Sequence, residues 1–228
     1  MDLYRFIGKF LLLFIAGYII IPDIVLRCIG IGSWKRQNAL GVALTFDDGP
    51  HPEYTPKVLD ILERYKVPAT FFVVGENAQA YPEIIKEIQE HGHQLGMHCQ
   101  QHLCSWFLNP WTTWKKWDEG VATLEQLTGQ KVKWIRPPWG VFNLALWLWL
   151  KYRKKKVALW NVMGYDWLAH RSPEQIAQRI LNKTSVGSIV LLHDAGGQPR
   201  APENTICALE KICQKVVIEK KLSFVNLD

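Results

Sequence analysis

Val42-Ala43-Leu44-Thr45-Phe46-Asp47-Asp48-Gly49-Pro50 decides the fold of this chain. Its first five residues carry no charge and include β-branched and aromatic members, the pattern of a buried strand. Gly-Pro then turns the chain, leaving two carboxylates at the strand's C-terminal end. Outward from here the pattern repeats. Thr70–Val74, Gln94–Met97, Val132–Ile135, Val157–Val162, Ser188–Leu192 and Ser223–Val225 are further apolar runs. Between them lie amphipathic stretches, from about Pro56 to Tyr65, Pro82 to Glu90, about Thr112 to Leu127, and Glu203 to Glu219. Strands alternating with helices predict a parallel sheet with crossover helices. Seven such strands without a break in composition predict an α/β fold, a single distorted seven-stranded (β/α) barrel over residues 31–228.

Composition narrows the function. A chain of 228 residues, 48% hydrophobic, fits one catalytic domain. The net charge of +6 favours an anionic partner, but no nucleic-acid signature accompanies it, so nucleic acid is excluded. Five cysteines, an odd count without paired Cys-x-x-Cys spacing, argue against a disulfide framework or a zinc ribbon. A monomer is expected.

The N-terminus precedes the barrel pattern. Arg5 and Lys9 stand before the uncharged run Phe10–Pro22, and Phe6–Gly8 with Ile24–Leu26 extend it to the roughly 20 residues a membrane span needs. Pro22-Asp23-Ile24-Val25 offers no small-x-small cleavage site. The expectation is a signal-anchor over residues 1–30, single-pass in the cell membrane. Basic residues ahead of the span place the domain on the extracytoplasmic side. A helix lying on the membrane surface is the competing reading.

In β/α barrels the chemistry sits where strands end. Reading those ends in order gives Asp47-Asp48, His98, Arg136, Asp166 and His193. His98 and His102, four apart, can present two nitrogens to one metal on a helical turn. Of two adjacent carboxylates, one can ligate while the other stays free as a base. Two histidines and one carboxylate leave positions open for water and substrate, as catalytic metal sites do.

Five segments, in order, resemble the signatures of polysaccharide deacetylases with a NodB homology domain (carbohydrate esterase family 4). They are Thr45–Pro50, His98-x-x-x-His102, Arg136-Pro137-Pro138-Trp139-Gly140, Asp166-Trp167 and Leu191-Leu192-His193, within a resemblance running from about Val42 to Leu227. It implies a metal-dependent hydrolase that removes N-acetyl groups from amino sugars of a cell-wall or chitin-like polysaccharide. A lipid-linked amino sugar, deacetylated or deformylated at the membrane, is the alternative substrate. A non-catalytic sugar-binding protein is the second alternative. The implied metal ligands are Asp48, His98 and His102, holding a divalent transition metal, zinc before others. Asp47 would take a proton from the attacking water, with Arg136 orienting and charge-balancing it. His193, paired with Asp166, would protonate the departing amine. The backbone N–H of Trp139 would help stabilise the oxyanion, and Trp167 and Leu191 would line the acetyl pocket.

The chain departs from the family pattern at Cys99, where Ser or Thr is usual, and at Met163, where an extra Asp often stands. His51 and Asp194 read as loop and structural residues, and His91, His93 and His170 as surface residues. Two stretches rich in aromatics, Leu103–Trp117 and Leu144–Leu150 with Lys151–Lys156 after it, suit a membrane interface.

Overall fold

The computed structural model describes residues 2–37 and 40–228, with the backbone alone at residues 2–4, 6 and 11; Met1 of the expected anchor lies outside the described residues. Eight short strands form one sheet: β1 (Ser33–Trp34), β2 (Ala43–Asp47), β3 (Ala69–Val73), β4 (Gln94–Met97), β5 (Trp134–Ile135), β6 (Lys156–Ala158), β7 (Val162–Met163) and β8 (Ile189–His193). Every pairing is parallel, in the order β1-β6-β5-β4-β3-β2-β8-β7. With crossover helices packed against it, this curled sheet is a distorted (β/α) barrel. β2 and β3 are buried along their whole length, which is why they read as apolar runs rather than alternating ones.

The strands differ in detail from the sequence reading. Val157–Val162 is split into β6 and β7, which pair with different neighbours. Ser33–Trp34 adds an edge strand against β6. Ser223–Val225 contributes only the bridge Val42–Phe224. A short helix, Gly75–Ala80, went unread because its six residues show no full apolar period. Longer helices fall close to expectation, at Tyr54–Tyr65, Pro82–Glu90, Pro110–Thr128 and Ala201–Ile218.

Trp117, Trp134 and Trp149 are among the largest fully buried side chains. Each removes about 150–250 Å² from water, roughly 4–6 kcal/mol of transfer free energy. Leu144–Tyr152 is therefore mostly a core helix, burying Ala145, Leu146, Trp149 and Leu150. It runs from the sheet's C-terminal rim to the N-terminal end of β6, so Lys151–Lys156 lies at the end of the barrel opposite the rim. There Lys155 reaches Glu125 and the Val132 carbonyl, and Lys156 lies over the Trp34 and Trp134 rings. His93 is buried rather than on the surface; it packs on Phe71, and burial lowers its pKa to about 4.

The N-terminal segment is helical from Asp2 to Ile29, with wider π-helical turns at Ala16–Ile20 and Ile24–Ile29. Ile7–Ile29 is apolar and long enough to cross a membrane, with mean hydropathy 2.1. One side of its C-terminal half packs on the domain. Tyr18, Pro22, Asp23 and Leu26 are buried there, while Ile20, Ile21 and Ile24 are 47%, 54% and 44% exposed. Tyr18 donates its hydroxyl to the Leu108 carbonyl at 2.8 Å. The Asp23 carboxylate accepts from Phe142 N–H at 2.9 Å and Trp106 Nε1–H at 3.3 Å, with Arg27 3.7 Å away. Asn143 ties the same loops together, its amide donating to the Ser105 and Leu108 carbonyls while its oxygen caps Leu146 N–H.

Candidate active site

Strand register brings the rim residues together. Asp47, the last residue of β2, stands opposite His193, the last of β8, and Phe72 of β3. β4 and β5 pair at Met97 and Ile135, so His98 and Arg136 emerge side by side.

Asp48 Oδ1 lies 3.3 Å from His98 Nε2 and 3.2 Å from His102 Nε2. All three ligand atoms fall within 4.8 Å of one another. The other nitrogen of His98, Nδ1, is 2.6 Å from the Arg136 carbonyl. A carbonyl only accepts, so Nδ1 carries a proton, which leaves Nε2 as the atom turned toward Asp48 and free to serve as a ligand. Asp48 Oδ1 correspondingly has no hydrogen-bond donor although it is buried. Two ligands at about 2.0–2.1 Å on a tetrahedral ion stand roughly 3.3 Å apart, so the residues present fit a transition-metal ion.

Cys99 is not part of this group. It is buried, with φ +72, and burial pushes its thiol up to about 11, so it stays protonated. Asp48, Cys99, Trp139 and Tyr165 all have left-handed backbones, at φ 75, 72, 55 and 59. Such residues cost roughly 1 kcal/mol or more each, and their gathering at one rim is typical of functional sites.

Behind the Asp48, His98 and His102 group, Arg136 is fully buried and holds Asp47. Its Nη1 donates to Asp47 Oδ1 at 2.7 Å and to Thr45 Oγ1 at 2.8 Å, its Nε to the Ala158 carbonyl and its Nη2 to the Leu159 carbonyl. The guanidinium lies 4.1 Å from the Phe72 ring centroid. Burial lowers the Arg136 pKa and Asp47 opposes that shift, as a buried ion pair requires. Asp47 Oδ2 is left facing the cleft, 4.0 Å from His98 Nε2.

Across the cleft, His193 Nδ1 is 3.1 Å from Asp166 Oδ1, and Asp166 Oδ2 accepts from His193 N–H at 2.7 Å and Thr205 Oγ1 at 3.0 Å. Burial works against charge on His193, but Asp166 first, then Asp48 and Asp47, outweigh it and raise its pKa to about 9.

These groups share one cleft of about 720 Å³, lined also by Trp139, Trp167 and Leu191. The structure thus gathers all ten sequence-predicted site residues. It adds Trp160, Met163, Tyr165 and Glu76 to the lining. Met163, at the position where the family often has Asp, accepts the Trp160 indole N–H on its sulfur at 3.3 Å. Thr45 and Thr205 went unread as supports because a lone Thr in a strand or helix carries no signal of its partner. His51 is a loop residue whose Nδ1 accepts from Glu53 and Tyr54 N–H. Asp194 fastens the first turn through Thr55 at 2.6 Å, and a Cβ on Gly49 would run into its carboxylate.

The chain is similar to known proteins along most of its length. A peptidoglycan-N-acetylglucosamine deacetylase of Bacillus cereus is 37% identical over 194 residues, covering 80% of this chain and 85% of the relative. Peptidoglycan-N-acetylmuramic acid deacetylase PdaC of Bacillus subtilis is 36% identical over 157 residues, 69% of this chain but 33% of that longer protein. The crystal structure of the Bc1960 peptidoglycan N-acetylglucosamine deacetylase superposes with a TM-score of 0.80 at 33% identity, covering 86% of this chain and 90% of that one. BA3943 of Bacillus anthracis, described as a CE4 family pseudoenzyme, also superposes, with a TM-score of 0.74 at 27% identity over 83% of this chain and 64% of its own. The fold alone therefore does not carry activity. The polysaccharide deacetylase family model matches residues 35–157, from just after the edge strand, through the third signature, into β6. With that match and relatives of this similarity, the chain belongs to the polysaccharide deacetylase family.

Proposed function

We propose that this protein is a metal-dependent hydrolase that removes N-acetyl groups from amino sugars of a cell-wall polysaccharide. The observation that carries the reading is one cleft holding a proton acceptor, a proton donor and a cation-shaped ligand group at its rim. The Bacillus relatives named for peptidoglycan N-deacetylation support the substrate class. Asp48, His98 and His102 would hold the ion, zinc before other divalent transition metals. When bound, such an ion supplies Lewis-acid polarisation and makes water acidic enough to ionise near neutral pH.

The chain's own residues do the rest. Asp47, fixed by Arg136, accepts the proton of the attacking water through its free Oδ2. Arg136 holds that carboxylate by its Oδ1 and prevents it from turning toward the ligand group. His193, charged because Asp166 faces its Nδ1, holds a proton ready for the amine nitrogen as the C–N bond breaks. The backbone N–H of Trp139 donates to the oxyanion. Trp167 and Leu191 shape an apolar pocket for the acetyl methyl. We further propose that residues 1–30 form a single-pass signal-anchor, leaving the domain of residues 31–228 extracytoplasmic.

The test is acetate release by the zinc-loaded full chain from N-acetylated peptidoglycan, chitooligomers and a lipid-linked N-acetyl amino sugar, side by side. Release from any that is lost in Asp47→Asn supports deacetylation. Saturable glycan binding with no acetate released from any would assign the chain to the sugar-binding alternative.

A further inference from the structure

The N-terminal helix poses a problem of length. Ahead of its docked face, Arg5 to Gly17 spans only about 20 Å at 1.5 Å per residue, against a hydrocarbon core about 30 Å thick. A span confined to that part would be too short. A span over Ile7–Ile29 has the right length. Tyr18 to Leu26 then lie in the outer leaflet, together with whatever the domain presses against them. The side view agrees. Ile20, Ile21 and Ile24 face outward as apolar, exposed residues, whereas Asp23 is turned inward and satisfied by Phe142, Trp106 and Arg27. A carboxylate at that depth is costly unless paired and shielded, and the domain supplies both.

The contacts also set orientation. Trp106 and Leu108 follow His102 by four and six residues, and Phe142 follows Trp139 by three. The helix therefore meets the rim on which the cleft opens. Beside these contacts stand Phe107 and Trp111, 85% and 81% exposed, with an apolar groove running from Trp111 to Trp114. Two large exposed aromatics next to a lipid-facing helix are apolar enough to enter the leaflet that the helix crosses.

Resting on the membrane span proposed above, we propose that helix and domain form one body, immersed at the rim, with Phe107 and Trp111 in the outer leaflet beside the helix and the cleft held next to it. The bilayer is the partner. The inference depends on where the helix sits and not on turnover, so its test needs no activity. Full-length protein carrying photoreactive benzoylphenylalanine at Phe14, Phe107, Trp111 or Gln130 is reconstituted in vesicles of phosphatidylethanolamine and phosphatidylglycerol and irradiated. Lipid adducts at positions 14, 107 and 111, with none above background at exposed Gln130 on the opposite end, are the expected result. Adducts at 14 alone would mean that the domain stands clear of the bilayer. Absence at 14 would mean that the helix does not enter it, and equal labelling at 130 would remove the orientation; each overturns the proposal.

Discussion

On the wall built by β2, β4 and β5, Asp48 Oδ1 and His98 Nε2 face each other at 3.3 Å, and that buried oxygen has no hydrogen-bond partner. On the wall built by β8 and the Asp166 loop, both oxygens of Asp166 accept hydrogen bonds, from His193 and Thr205. The first wall leaves a buried acceptor that the proposed cation would satisfy, whereas the second is complete in itself. The difference separates the binding of an ion from the storage of a proton, and it implies that damage to one wall should leave the other standing.

The largest expected effect is on the first wall. His98→Ala or His102→Ala should remove most bound zinc, read by elemental analysis, and bring acetate release to background. Full metal content in both variants would break the comparison. Asp47→Asn should keep the metal and lower kcat by about 10²–10⁴-fold, the usual worth of a positioned base. His193→Ala should also keep the metal and lose a similar factor, about 10²–10⁴-fold, while removing the alkaline limb of the pH–rate profile.

A smaller effect concerns stability against pH in the metal-free protein. His193 has its folded pKa raised from 6.5 to about 9, so its pairing stabilises the fold fully below 6.5 and is lost as pH rises through 9. The melting temperature should fall across that window, and His193→Gln should flatten the slope. Zinc should shift the window downward, because the ion offsets the Asp47 and Asp48 charge that helps to raise this pKa. The smallest effect is Thr205→Val, which removes one support of Asp166 at a cost of about 0.5–1.5 kcal/mol. It should slow turnover only a few-fold, with zinc content unchanged.

Most of the rim was legible because it is local. Asp47, His98, Arg136, Asp166 and His193 each stand at or just after the end of an apolar run, and parallel topology sends those ends to one side. What joins them was not legible. Asp23 interrupts a hydrophobic run in the sequence, yet its partners are 83 and 119 residues away, where periodicity carries no information. Cys99 and Trp139 give no sign of left-handed backbone, since their strain is imposed by the packing around them. The short strands blurred for a related reason. β5 and β7 are two residues each, and a fragment that brief has no period to read.

The docking of Asp23 between Phe142 and Trp106 bears on how far the enzyme can search. An enzyme on a loose stalk samples a volume set by the stalk. Here the stem ends inside the domain it carries, so the working radius is about one domain diameter, on the order of 40 Å for a chain of this size. Glycan beyond that shell is out of range however abundant it is. On the proposed anchoring, the strands passing through the cleft would be those lying against the bilayer, and the order of modification would be set by the moment at which a sugar is close to the membrane.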